Sequence, residues 1–294
     1  MTTATPSPAA IAAWREDNAA RKRALGPGPD MAATRELSLT VPDAAPVRAR
    51  FLVPTDRPAG VLVYLHGGGW VTGSIDTFDR LGRELARRTG WAVLLVDYAK
   101  APERPFPAGV EDAWAAWQWA VQHADDELGS LGTTLADGFG LVVGGDSSGG
   151  NLATVVARRA RDAGVRLDGQ ILVYPVTDCD PDRPSYRAAP DSRSHIQLIW
   201  DLYCPAELRT GPDASPLRAE SLAGLAPALI LDAEHDALNS EIDAYAERLT
   251  AEGVELARHH LPGVEHGCLS YWDTVPAAGR ALDAIRDWLA LLVR

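Results

Sequence analysis

At 294 residues, 46% of them hydrophobic, the chain is long enough to bury one large core, and a single domain over 1–294 is expected. A formal net charge of −12 with no basic stripe disfavours nucleic acid and anionic membrane surfaces as partners. Cys179, Cys204 and Cys268 fit no metal or redox spacing, no eighteen apolar residues run together, and Met1–Pro8 lacks the basic start and apolar core of a signal peptide; a soluble, cytoplasmic protein with free thiols and no metal or cofactor is expected.

The first predicted element is a helix from about Ala9 to Leu25, broken by Gly26-Pro27-Gly28-Pro29. With Ile11, Trp14 and Leu25 its few large apolar positions, it reads as a polar surface helix. Strands follow at Glu36–Val41 and Val47–Val53. Beyond them, apolar strands near 61–65, 91–96, 139–144, 169–174, 227–232 and 254–260 alternate with helices near Phe78–Arg88, Gly109–His123, Ser148–Ala163, Ser240–Glu252 and Ala277–Leu292. Such alternation predicts an α/β fold, a mostly parallel sheet covered on both faces with its functional loops at the strands' C-terminal ends. Trp114 and Trp117 share a helical face, which favours core packing over a ligand platform for the Trp114, Trp117, Trp119 cluster. The stretch Asp178–Pro216 breaks the rhythm with turn residues and then a helical patch holding Ile196, Leu198, Ile199, Trp200, Leu202 and Tyr203.

Four loops carry chemistry. After the strand at 61–65 comes His66-Gly67-Gly68-Gly69-Trp70, where bare glycine backbone can turn N–H groups into a cavity; donors from Gly68 and Gly69, joined by Ser148, suit an oxyanion hole. A phosphate cradle is disfavoured, since the loop has no lysine and the chain no G-x-x-x-x-G-K-[ST]. After the strand at 139–144, Gly145-Asp146-Ser147-Ser148-Gly149 has the G-x-S-x-G spacing of a nucleophile elbow, with Ser147 between strand and helix. Past the strand at 227–232 lie the acids Asp232, Glu234 and Asp236, and past the strand at 254–260 a predicted turn, Pro262-Gly263-Val264-Glu265, leads to His266-Gly267. The order Ser, Asp, His separates this chain from chymotrypsin-like and subtilisin-like arrangements.

From about residue 47 onward these motifs, together with Asp97-Tyr98-Ala99-Lys100-Ala101-Pro102-Glu103, resemble the hormone-sensitive lipase group of α/β-hydrolases, bacterial carboxylesterases and acetyl-hydrolases included. The resemblance implies the α/β-hydrolase fold, Ser147 as nucleophile, His266 as base, Asp236 as the acid ahead of its rivals Asp232 and Glu234, and Gly68, Gly69 and Ser148 as oxyanion donors. It also implies a cap, built from about 1–35 and 178–216, with Trp70, Trp200 and Tyr203 near the substrate and Trp14 as a further cap aromatic. Of the remaining histidines, His66 is expected to fix its loop, His235 to neighbour the acid, His259 and His260 to face core and solvent, and His123 and His195 to lie on the surface or lid. Ser148, Ala237-Leu238-Asn239-Ser240 and Cys268 depart from the usual pattern, and a lost aromatic at Cys268 would reshape the acyl pocket.

The expected activity is hydrolysis of short to medium acyl esters of small molecules through an acyl-enzyme. A repurposed catalyst of the same fold (cyclase, acyltransferase or deacetylase) and a non-catalytic small-molecule receptor are the alternatives. The presence of His266 counts against a receptor. An edge strand or the last helix offers a surface for a homodimer.

Overall fold

The computed structural model describes residues 6–40 and 45–293. Met1–Thr5, which begin the expected cap segment and leader reading, Val41 at the expected end of the first strand, 42–44 and Arg294 lie outside the described residues.

Among the described residues, β1 (Ala33–Leu39), β2 (Val47–Val53), β3 (Gly60–Leu65), β4 (Ala92–Val96), β5 (Gly140–Asp146), β6 (Gly169–Val173), β7 (Ala228–His235) and β8 (Leu256–Glu265) form one sheet in the order β1-β2-β4-β3-β5-β6-β7-β8. β2 pairs antiparallel with both β1 and β4, and every other pairing is parallel. Every residue of β3, β4, β5 and β6 is buried, as expected of parallel strands covered on both faces. β1 alternates between half-buried and exposed positions, the signature of an edge strand with one wet face.

The helices are α1 (Pro8–Arg23), α2 (Ile75–Thr89), α3 (Ala108–Ser130), α4 (Ser148–Ala163), α5 (Pro184–Ala188), α6 (Pro190–Tyr203), α7 (Asn239–Ala251) and α8 (Pro276–Leu292). Local chemistry sets their ends. In a capping box at the start of α2 the Ser74 hydroxyl accepts the Thr77 N–H and the Thr77 hydroxyl accepts the Ser74 N–H, and Gly90 closes that helix at φ 72°. α2 packs against α8, and α3 against α4. No described helix is long and apolar enough to cross a membrane.

Two elements, α3 and β8, outrun their sequence-based limits the furthest. α3 continues past His123 to Ser130 because Ala124 and Leu128 extend the buried stripe of Trp117 and Ala120, while Asp125 and Asp126 take the outer side. The predicted turn at Pro262-Gly263-Val264-Glu265 is instead the end of β8. Three circumstances allow this: β8 is an edge strand, where proline's missing N–H is tolerated; Gly263 sits at φ 70°; and the β7–β8 register shifts between Ala233 and His235. Trp117 is fully buried and Trp114 partly so, both in the core.

β3 has β4 on one side and β5 on the other, so the chain's winding reverses there and the loops after β3 and β5 part to leave a crevice.

Candidate active site

Ser147 is the single residue between β5 and α4, held at φ 55° and ψ −118°. That conformation costs about 1–3 kcal/mol for a residue with a Cβ, so the surroundings must impose it. They do so by close approach: a Cβ on Gly149 would overlap the Leu65 carbonyl oxygen, and one on Gly145 would overlap both that oxygen and the Gly149 backbone. The Ser147 N–H donates to the Val173 carbonyl at 2.9 Å, fastening the elbow to β6.

The imidazole of His266 bridges the serine and a carboxylate. Its Nε2 lies 2.8 Å from Ser147 Oγ and its Nδ1 lies 2.6 Å from Asp236 Oδ2. With Nδ1–H donating to Asp236, Nε2 is left bare and ready to accept the hydroxyl proton. Burial pushes the His266 pKa down, but the adjacent Asp236 carboxylate outweighs it and the net shift is upward. The other Asp236 oxygen accepts the Leu238 N–H at 2.9 Å. The Tyr174 ring lies 4.7 Å from that of His266, and its hydroxyl accepts the Leu269 N–H. Tyr174 thereby backs the imidazole, a role that no motif in the sequence signals.

The rival acids are engaged elsewhere. Asp232 accepts from Arg258 at 2.7 Å and pairs with His260 at 2.6 Å, while Glu234 accepts the Gly263 N–H at 2.7 Å. His259 and His260 are both exposed, so neither faces the core.

On the opposite wall, the oxyanion-type loop is wired to the elbow through Asp146. This buried carboxylate accepts from Tyr64 Oη and from the Gly67 N–H, both at 2.9 Å, and burial raises its pKa. The Gly67 donor is thus consumed, whereas the N–H groups of Gly68, Gly69 and Ser148 find no acceptor among the described residues. Gly68 and Gly69 take φ 129° and 61°, and a Cβ on Gly69 would strike Ile199 of α6. His66 hydrogen-bonds the Gly67 carbonyl at 2.9 Å and stacks on Tyr98 at 4.4 Å; burial lowers its pKa, keeping it neutral.

These loops border a cavity of about 790 Å³ that reaches Ser147, Asp236, His266, Gly68 and Gly69. α1 and α6 close over it and meet where the Trp14 and His195 rings pack edge to face at 5.3 Å. Arg15 fastens α1 to the body through Glu103 and the carbonyls of Val71 and Ala101. Trp70, Trp200 and His235 border the cavity as well, and His123 lies exposed and away from it.

Two expected pocket residues stand behind the wall. Tyr203 is stacked flat on Trp70 at 4.0 Å and 1% exposed, so the indole screens it from the cavity. Cys268 is buried in the turn after His266, where burial pushes its thiol up to about 11. Of the other departures from the familiar pattern, Ser148 Oγ is buried without a hydrogen-bond partner, neither tied to local backbone nor in the pocket, Asn239 ties the acid loop through the carbonyls of Ala233 and Glu234, and Ala237 and Leu238 border the cavity.

Residues 62–270 match the family described by the alpha/beta hydrolase fold. The chain is 40% identical over 258 residues to the carboxylic ester hydrolase LipN of Mycobacterium tuberculosis, covering 83% of this chain and 66% of that protein. It is 37% identical over 262 residues to the ethyl acetate hydrolase of Pseudomonas putida, covering 84% and 79%. Among solved structures, the thermostable carboxylesterase EstE1 from a metagenomic library superposes with a TM-score of 0.89 at 33% identity, over 98% of this chain and 100% of that one.

Proposed function

The chain belongs to the α/β-hydrolase fold family and is a serine carboxylic ester hydrolase; from that premise we propose that Ser147, His266 and Asp236 carry its reaction on short to medium acyl esters of small molecules. The observation that supports these roles is the continuous hydrogen-bonded path from Ser147 Oγ through His266 to Asp236, at 2.8 and 2.6 Å.

Ser147 Oγ attacks the ester carbonyl carbon as its proton passes to His266 Nε2, and Asp236 stabilises the imidazolium that forms. The carbonyl oxygen becomes an oxyanion, held by the N–H groups of Gly68, Gly69 and Ser148, each worth about 3 kcal/mol of transition-state stabilisation. As the tetrahedral intermediate collapses, the C–O bond breaks and His266 returns the proton to the departing alcohol. Water, deprotonated by the same imidazole, then cleaves the acyl-enzyme to the carboxylic acid.

A cavity of about 790 Å³ under a cap is sized for a small molecule rather than a polymer. The ethyl acetate hydrolase relative supports the short end of the acyl range. A repurposed catalyst finds no support, because Ser148, Asn239 and Cys268 all pack away from the cavity. The net charge of −12 and the three free thiols support a small-molecule partner, with neither nucleic acid nor membrane, in a reducing cytoplasm.

The test is a ladder of p-nitrophenyl esters from acetate to decanoate, with Ser147→Ala beside the wild type. The expected optimum is at short to medium chains, with a loss of about 10⁴-fold or more in the variant. Turnover that survives in Ser147→Ala would remove the serine from the mechanism.

A further inference from the structure

One stripe of α1 borders the cavity: Trp14, Asn18, Arg21 and Lys22, at i, i+4, i+7 and i+8. Two of these have their partners within the protein. Trp14 packs on His195, and Arg21 pairs with Asp17 at 3.0 Å. Lys22 is placed differently. Its ammonium donates to the Oγ of buried Ser270 and sits 4.8 Å from the ring centre of Phe78 and 5.6 Å from that of Tyr271, two rings that also border the cavity.

An ammonium has three donors, and Ser270 engages one. Among the described residues no carboxylate lies within ion-pair distance of Nζ. The carboxylate whose charge reaches it, Asp146, stands outside that distance and accepts from Tyr64 and the Gly67 N–H through its Oδ1. Burial lowers the Lys22 pKa, and the field of Asp146 only partly opposes this. A half-buried cation with no carboxylate in contact is costly, and an apolar side chain would fill the space between the two rings without that cost. Asp146, Asp191, Asp236 and Glu265 also border the cavity and repel an anion from their own parts of it, so the ammonium marks where a negative group is accommodated.

We propose that Lys22 is a specificity residue that receives a carboxylate carried by the substrate. The preferred substrates are then esters with an anionic group on the part lying beneath α1, either half-esters of dicarboxylic acids or acyl esters of hydroxy acids. The proposal rests on the esterase reading of this cavity and names its substrate class.

Two matched pairs test it by kcat/KM. p-Nitrophenyl hexanoate against the p-nitrophenyl half-ester of adipate places the charge on the acyl side; phenyl acetate against 4-acetoxybenzoate places it on the alcohol side. Wild type is expected to favour the anionic member of one pair. Lys22→Met should cut that anionic-to-neutral ratio by about tenfold or more, and Lys22→Arg should restore most of it. A lysine that merely anchors α1 would move both members of a pair together, so an unchanged ratio in Lys22→Met overturns the proposal. Preference for the neutral ester in both pairs overturns it too. A wild type inert on all four esters overturns the esterase reading itself, and this proposal with it.

Discussion

The imidazole of His266 is held between opposing influences: burial favours its neutral form and the carboxylate of Asp236 its cation, and the cation gains. The proposed mechanism needs the neutral ring, because only a bare Nε2 can take the serine proton. The rate should therefore rise with pH along one limb whose apparent pKa lies above the ordinary 6.5, and fall away in acid. Asp236→Asn removes the influence that raises this pKa, so the limb should move to lower pH while kcat drops by about 10⁴-fold. A pH–rate profile of kcat/KM for both proteins checks this, and a limb that stays in place after Asp236→Asn would assign the titration to another group. The Ser147 backbone belongs to the same scale: its positive φ is sustained by glycines on either side, whose missing side chains let Leu65 and Gly149 approach.

At the scale of elements, α7 ties the acid loop to the cap. Its buried Glu241 accepts from the N–H groups of Thr177 and Asp178 at 2.7 and 3.3 Å and from Tyr186 Oη at 2.8 Å. Asp178 in turn receives Arg183 and Arg218, which ties the start of the 178–216 segment to the chain just past its end through one carboxylate. Burial pushes the Glu241 carboxyl up to about 8, against the pull of its three donors. A carboxyl raised in the fold contributes stability below its unfolded value near 4.5 and loses it as pH climbs through about 8. Glu241→Gln mimics the protonated acid, so its melting temperature relative to wild type should rise between pH 6 and pH 9. Thermal unfolding at a series of pH values reads this directly, and a flat difference would refute it. Glu241→Ala strands three buried donors and should cost about 3 kcal/mol or more at any of these pH values.

Over the whole molecule, the loops at the sheet's edge border one side of the cavity and α1 and α6 border the other, so on the proposed reading the sheet carries the chemistry and the cap the fit. A smaller cavity of about 310 Å³ lies within the cap, and Ile196 and Trp200 border both it and the active-site cavity. Trp200 is 3% exposed and packs on Trp70 at 5.0 Å, so it acts as the partition. Replacing it should join the two spaces and move the acyl optimum to longer chains. Trp200→Ala risks about 3–5 kcal/mol of stability, so Trp200→Leu is the companion variant. The p-nitrophenyl ladder is the measurement, and an optimum unmoved in both variants would show that acyl chains extend elsewhere.

What the sequence determined by itself was the chemistry that is contiguous along the chain. The elbow at Ser147 and the loop at Gly68 and Gly69 need glycines at fixed local spacing, and apolar runs such as Val61–Leu65 become parallel strands because both faces are covered. Tertiary structure alone decided what depends on distant partners. Composition and spacing leave Asp232 and Glu234 as rivals to Asp236, which only the family resemblance put ahead; the β7–β8 pairing and its register shift go with a different partner for each. α1 reads as polar in any rotation, and only its docking turns Lys22 toward Ser270, 248 residues away. Tyr203 and Cys268 have the right composition for a pocket, yet Trp70 stands in front of one and burial hides the other. Spacing along a chain fixes backbone geometry over a few residues, whereas the side chains that meet in a cavity are set by strand register and helix rotation, which follow from the packing of the whole core.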